Sequence, residues 1–473
     1  MISTILVAVG LAALTYALSG ARSPAYLLYF IAFLPFVSLD PELGGLQRVS
    51  ELGGQNVLFK MSLRLATSAG LLLLLLRRRG AMRHALLPPY WPIVVYVVWA
   101  FASLLQLSSP WVSMFRLGEL LTFFLIGICL YLQVDRHESP RTVARWHCLA
   151  LLPLCLATLY VARIRPDLAY HDGLGGIRLG HKFVEANVLG FSACVVMLWA
   201  THELRERRLR ERHWVLERLL PVVVLLVASG ILIFARSRTA MITAVAGQFL
   251  LWFPFYRGDA KRRVLFVGFV LFALAAVATH TDDIAEWFLR GDSVVGLVNA
   301  TGRTELWQAL FTEQVPKTPL FGTGYLTLSE RGYFEHAGTW WTNAHNTYLF
   351  ALVSTGIPGL LAVLAIAYLP LRATFKRIFH ADSTDRSSWV LLFALQAVVV
   401  ITGITGFGIT GFPNAAMLFS YALYPYCTAH AASAPAHRRR VARIRQPRPD
   451  SPATAETPFP GLPGRAAPAP RHP

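Results

Sequence analysis

Long apolar runs, broken by short charged or Gly/Pro-containing segments, set the rhythm of this chain. Crossing a bilayer takes about 17–25 predominantly apolar residues in a helix. Runs that approach or meet this length recur near 2–18, 26–39, 57–76, 92–107, 115–133, 146–161, 188–202, 219–234, 240–256, 264–280, 344–369, 389–404 and 415–427. The pattern predicts an all-α polytopic integral membrane protein with about 12–13 transmembrane helices. A β-barrel would show short alternating segments, and none are evident. The first run lacks a basic start and a small-residue cleavage site, so it predicts a retained helix rather than a cleaved signal peptide.

Composition agrees. Hydrophobic residues make up 55% of the 473 and charged residues only 15%, too few for a soluble domain of this length. The net charge of +18 sits mainly in short loops and in the tail. That distribution follows the positive-inside rule, and no basic, aromatic-interleaved module exists to hold a nucleic acid. The arginines at 77–79, 205–212, 257–263, 372–377 and 438–440 put those segments on the cytoplasmic side, with the bilayer itself as partner. The outside then receives 40–56, 163–186, the turn at 235–239 and a large loop at 281–343 containing short amphipathic helices.

Three regions follow: N-terminal helices over 1–218, a second half over 219–432 that carries the candidate chemistry, and a Pro/Ala/Arg-rich tail over 433–473 expected to be disordered. Five cysteines lie in or beside apolar runs without Cys-x-x-Cys spacing, which fits packed thiols. Asp282-Asp283 is the single acidic pair at an outer boundary, and it lacks further carboxylates at ligand spacing, so no metal site is expected.

The candidate chemistry lies in the outer segments. The turn F-A-R-S-R-T-A leaves Arg236 and Arg238 at a membrane boundary, where an arginine either snorkels to lipid phosphate or serves a site. Gly302-Arg303 precedes a helix-forming T-E-L-W-Q-A-L, with Thr301 or Thr304 as its expected cap. In P-L-F-G-T-G-Y, Gly322 and Gly324 would let backbone N–H groups converge on an anion. Asn343-Ala344-His345-Asn346 opens a long apolar helix; a histidine at a helix N-terminus tends towards the neutral imidazole, a competent general base. The outer loop 163–186 is basic against the rule, and its Arg178, His181 and Lys182 are candidate anion ligands. Glu185 and Asn187 read as helix-start capping residues.

Taken together, S-R-T-A at 237–240, G-R-T-E-L-W at 302–307, P-L-F-G-T-G-Y at 319–325 and H-N-T-Y-L-F-A-L-V-S-T-G-I-P-G-L-L at 345–361 resemble the O-antigen ligase and O-antigen polymerase family. The resemblance covers the C-terminal half; the N-terminal half matches only as a series of helices. It implies a glycosyltransferase of the bacterial inner membrane, working at the periplasmic face with an undecaprenyl-diphosphate-linked glycan as donor. It further implies inversion at the anomeric carbon, no metal and no other cofactor. The acceptor is lipid A–core for a ligase, or another glycan for a polymerase of O-antigen or exopolysaccharide. The resemblance assigns Arg238 and Arg303 to the diphosphate and His345 to the acceptor hydroxyl; beside them, Arg236, Arg178, Lys182, His181, Asn346, Gly322 and Gly324 are this sequence's own substrate-binding candidates. A transporter or flippase of lipid-linked sugars is the competing reading, since outward cations would also suit an anion pathway.

Overall fold

In the computed structural model, the described residues are 2–21, 23–33, 87–107, 111–134, 138–173, 176–180, 184–206, 214–252, 303–325, 334–336, 339–341, 344–380, 383–406, 408–410 and 414–428, with isolated positions at 66, 69–70, 73 and 264. The helices are α1 (Ile2–Ser19), α2 (Pro24–Ala32), α3 (Trp91–Ser103), α4 (Trp111–Gln133), α5 (Pro140–Leu149), α6 (Leu152–Ile164), α7 (Ala186–Glu206), α8 (Trp214–Ala235), α9 (Arg238–Trp252), α10 (Arg303–Ala309), α11 (Thr347–His380), α12 (Ser383–Thr405) and α13 (residues 415–428). Two short antiparallel ribbons lie between helices: β1 (Tyr170–Gly173) with β2 (Gly176–Leu179), and β3 (Phe334–His336) with β4 (Thr339–Trp341).

Among the described residues six segments are long and apolar enough to span a membrane: Pro88–Gln106, Ser113–Gln133, Pro140–Ile164, Ala186–Glu206, Thr347–His380 and Asp385–Thr405. The chain is an all-α polytopic membrane protein. The expected spans near 57–76 and 264–280, the outer segments 40–56 and 281–302, and the tail 433–473 lie outside the described residues or are described only at isolated positions.

α7 forms the centre of the bundle. Leu189 to Ala200 are buried on every face, and α7 packs against α5, α6, α8, α9 and α12. A helix apolar and buried all round belongs inside a bundle rather than against lipid. α8 behaves differently: Leu219, Val222, Val223, Leu226, Ile233 and Phe234 stay exposed at helical spacing, a stripe suited to lipid. The span Pro140–Ile164 is broken between α5 and α6, because Pro153 has no N–H to continue the ladder.

α11 carries the most consequential irregularity. Gly356 adopts φ +70° inside it, and Pro358 follows two residues later. An unbroken helix would pair Ile357 N–H with Val353 and residue 358 with Ser354. Proline cannot donate, and Ile357 N–H turns to the carbonyl of Pro319 (2.8 Å). The carbonyls of Val353 and Ser354 thereby lose their helical donors. The segment 319–325 supplies replacements: Thr323 N–H reaches Val353 at 2.8 Å and Gly324 N–H reaches Ser354 at 3.1 Å. Gly322 is required because a Cβ there would run into the backbone of Val353, Ser354 and Thr355. This corrects the expectation for P-L-F-G-T-G-Y. The N–H of Gly322 goes to Thr318 and that of Gly324 to Ser354, so these groups satisfy protein carbonyls rather than an anion.

Candidate active site

The candidate residues gather where several helix ends meet. α7, α9, α11 and α13 begin there, and α8 and α12 end there; hydrogen bonds tie the termini together. Gly190 in the first turns of α7 permits the approach, since a Cβ on it would crowd Ala240 and Ser237. Ser237 Oγ donates to Asn187 Oδ1 at 2.9 Å and accepts from Ala240 N–H at 3.4 Å, capping α9. Thr239 and Thr405 join through their hydroxyls at 2.7 Å, and Arg303 Nη1 donates to the Thr405 carbonyl at 3.0 Å. Thr347 Oγ1 donates to the Gly406 carbonyl at 3.2 Å and accepts from Gly408 N–H at 3.0 Å.

Arg238 is the first residue of α9 and Arg303 the first residue of α10. Thr304 therefore lies inside α10 rather than capping it. Burial and the neighbouring charge of Arg238 lower the pKa of Arg303, which marks the two guanidiniums as close enough to feel one another. His345 is half-buried, with burial and the Arg303 charge lowering its pKa to about 4. The imidazole is thus neutral near pH 7, as expected, although desolvation and a cation supply the cause. Trp307 Nε1 holds the preceding residue through the Ala344 carbonyl at 2.7 Å.

Among the described residues, Arg236 (φ +46°) and His345 (φ +49°) are the non-glycines with positive φ. Side chains rarely occupy this region, and such strain gathers at functional sites. Arg236 lines another groove, of about 760 Å³, with Asp167, Tyr170, Ile177, Ile233 and Phe234.

Arg178, on β2, donates through Nε to the Ala235 carbonyl at 2.8 Å and through Nη2 to Asn187 Oδ1 at 3.2 Å. The first bond occupies a carbonyl at the C-terminus of α8 and fastens the β1–β2 ribbon to the R-S-R turn. Burial lowers the Arg178 pKa; Glu185 raises it and Arg238 lowers it further. His181 and Lys182 lie outside the described residues. Asn346 has a clear local duty: its Oδ1 accepts from Tyr348 and Leu349 N–H at 2.9 and 3.0 Å, capping α11.

A small cavity of about 30 Å³ opens between these ends, lined by Glu185, Asn187, Thr239, His345, Thr405 and Asn414 among others. It has room for about one or two waters. Glu185 was expected to cap α7. Among the described residues, its carboxylate instead takes a bond from Asn187 Nδ2 at 3.1 Å and faces the cavity that His345 lines. The sequence offered one missed signal: a carboxylate two residues before an asparagine at the mouth of a basic outer loop. Among the described residues no group of three His, Cys, Asp or Glu side chains could hold a metal ion.

Comparison with known proteins points the same way. Residues 221–364 match the family model described as O-Antigen ligase. The chain is also similar to the exopolysaccharide production protein ExoQ of Rhizobium meliloti (strain 1021), 27% identical over 155 residues. That match covers 30% of this chain and 34% of the relative, so the chain spans about a third of that protein's length. The matched family segment holds Arg236, Arg238, Arg303, both loop glycines, His345 and Asn346, and leaves out Arg178 and Glu185. Through its segment 221–364, this chain is similar to the O-antigen ligase family.

Proposed function

We propose that this protein transfers a glycan from undecaprenyl diphosphate to an acceptor hydroxyl at the periplasmic face of the inner membrane. The gathering of Arg238, Arg303 and His345 at one end of the bundle carries this reading. In the departure step, negative charge concentrates on the diphosphate oxygens. Two preorganised guanidiniums can hold that charge through paired N–H bonds. Losing one such donor typically costs about 3–4 kcal/mol of barrier, a hundredfold or more in rate.

The cavity beside His345 fits a hydroxyl and excludes a diphosphate, which suits it to the acceptor. The hydroxyl would then attack from the side opposite the diphosphate, inverting the anomeric carbon. The lipid would lie along helix surfaces such as the exposed stripe of α8. Metal-free transfer is consistent with guanidiniums taking the charge that a divalent cation would otherwise neutralise.

Ligation to lipid A–core and polymerisation of O-antigen or exopolysaccharide share this donor chemistry. The name of the relative from Rhizobium meliloti favours an exopolysaccharide product. The test is to reconstitute purified protein with lipid-linked glycan and each acceptor in turn, then resolve the products by size. Transfer should vanish in Arg238→Ala, Arg303→Ala and His345→Ala while the proteins still insert. Movement of lipid-linked sugar across vesicles without any transfer would instead establish a flippase.

A further inference from the structure

The small cavity is lined by two groups with a basic side chain atom, and only His345 has been given a part in the reaction. Glu185 is the other. It precedes α7, and its carbonyl accepts from Leu189 N–H at 2.9 Å, so its backbone already starts the helix. Among the described residues its side chain accepts from the Asn187 amide, and the residue lines the cavity.

Asn187 fixes the carboxylate. The asparagine oxygen accepts from Arg178 Nη2 and from Ser237 Oγ, which orients its NH₂ towards Glu185. Arg178 on β2, Ser237 of the R-S-R turn and Asn187 of α7 therefore hold one carboxylate of the cavity that His345 also lines. A residue needed only for helix capping would call for none of this.

We propose that Glu185 is the general base of the transfer, with His345 orienting the hydroxyl that enters between them. This inference rests on the function proposed above. In the step, the acceptor O–H bond breaks as its oxygen bonds the anomeric carbon. The bond from that carbon to the diphosphate breaks, its electron pair leaving on the diphosphate oxygen. The proton passes to the Glu185 carboxylate, which becomes the neutral acid.

The electrostatics support this division of labour. Although Glu185 is exposed, partial desolvation by the surrounding protein raises its pKa, an effect that the Asn187 amide and the Arg178 charge reduce but do not reverse. Burial and Arg303 carry His345 the other way, to about 4. Pairs of titratable groups pushed in opposite directions mark acid and base assignments in enzymes generally. Protonating His345 would also add a cation beside Arg303, whereas protonating Glu185 adds none.

The test uses full-length protein reconstituted with lipid-linked donor and acceptor. Glu185→Gln keeps an oxygen for the Asn187 amide and removes the base. Its kcat should fall by about a hundredfold or more, the usual range for a lost general base, with the donor KM and donor binding unchanged. Wild-type rate should fall as pH drops through the carboxyl titration, and that limb should be absent from the residual activity of Glu185→Gln. Glu185→Asp should recover part of the rate together with the limb. A Glu185→Gln enzyme within threefold of wild type, or one with its acid limb intact, overturns the assignment while leaving the arginine and histidine roles standing. Should Glu185→Gln not accumulate, Glu185→Asp decides: unchanged kcat and pH profile refute the proposal, while a slowed rate with normal donor binding and the limb retained supports it. Wild-type protein that neither binds donor nor transfers glycan would remove the underlying function instead.

Discussion

Thr239 and Thr405 share a hydroxyl–hydroxyl hydrogen bond of 2.7 Å, and the carbonyl of Thr405 accepts from Arg303 at 3.0 Å. One residue at the end of α12 therefore supports both arginines, since Thr239 follows Arg238 in the first turn of α9. Replacing Thr405 by valine keeps the carbonyl and the side-chain shape but loses the hydroxyl link. A hydrogen bond of this kind contributes about 1 kcal/mol. Thermal unfolding should shift by about that amount. Transfer should slow by about fivefold, following the conversion of about 1.4 kcal/mol per factor of ten. Steady-state rates beside melting curves for the same preparation check both.

The kink of α11 depends on a glycine facing a loop. Gly356 has φ +70°, and a Cβ added to it would meet the carbonyls of Leu320 and Pro319. Gly356→Ala should destabilise the protein by about 1–3 kcal/mol, the range for a strained backbone position, with further cost from the close approach. The loop 319–325 should loosen with it, because the Thr323 and Gly324 bonds depend on that kink. Hydrogen exchange at those two amides reports the loosening directly, and unchanged protection would remove the account of the kink given above.

The histidine imposes a pH dependence with a defined sign. Folded His345 takes up its proton near pH 4, whereas an unperturbed imidazole does so near 6.5. Between these values the unfolded chain binds a proton that the native protein lacks. The contribution of His345 to stability is therefore complete above pH 6.5, declines as pH falls through that window and changes no further below about 4. His345→Gln should show a shallower decline over the same window in melting experiments, and a parallel slope in the two proteins would contradict the low pKa.

At the far end of α7, Arg141 meets Glu203 through two bonds, Nε at 2.9 Å and Nη2 at 2.6 Å. The two partners are unequally placed: the glutamate side chain is 3% exposed and that of the arginine 42%. Removing the arginine takes two charge-assisted bonds from a buried carboxylate, and breaking a buried pair typically costs about 3–5 kcal/mol. Removing the glutamate leaves a cation able to reach water. Arg141→Ala should thus melt well below Glu203→Ala, and equal losses would show that the pair is solvated.

The helical membrane class could be read from the apolar runs, because a segment must satisfy its own backbone when it crosses lipid. Arg238, Arg303 and His345 could be singled out because each sits at a break between apolar run and polar turn, a local feature. The expected function of the glycine loop was misread for an equally physical reason. Gly322 and Gly324 do allow unusual backbone, but the carbonyl that the Gly324 N–H serves is freed by Pro358, more than thirty residues later.

Among the described residues, the sequence by itself indicated the long apolar helices, since helix formation is largely settled within a few residues. Only the tertiary structure decided which ends share a site. Glu185, Arg178 and Asn187 come from a part of the chain far before His345, and Gly190 together with the close packing of α7 against the Ser237 turn draws them in. Packing of small residues and the need to pair buried polar groups act across the whole bundle, so the meeting of these residues has no local signature.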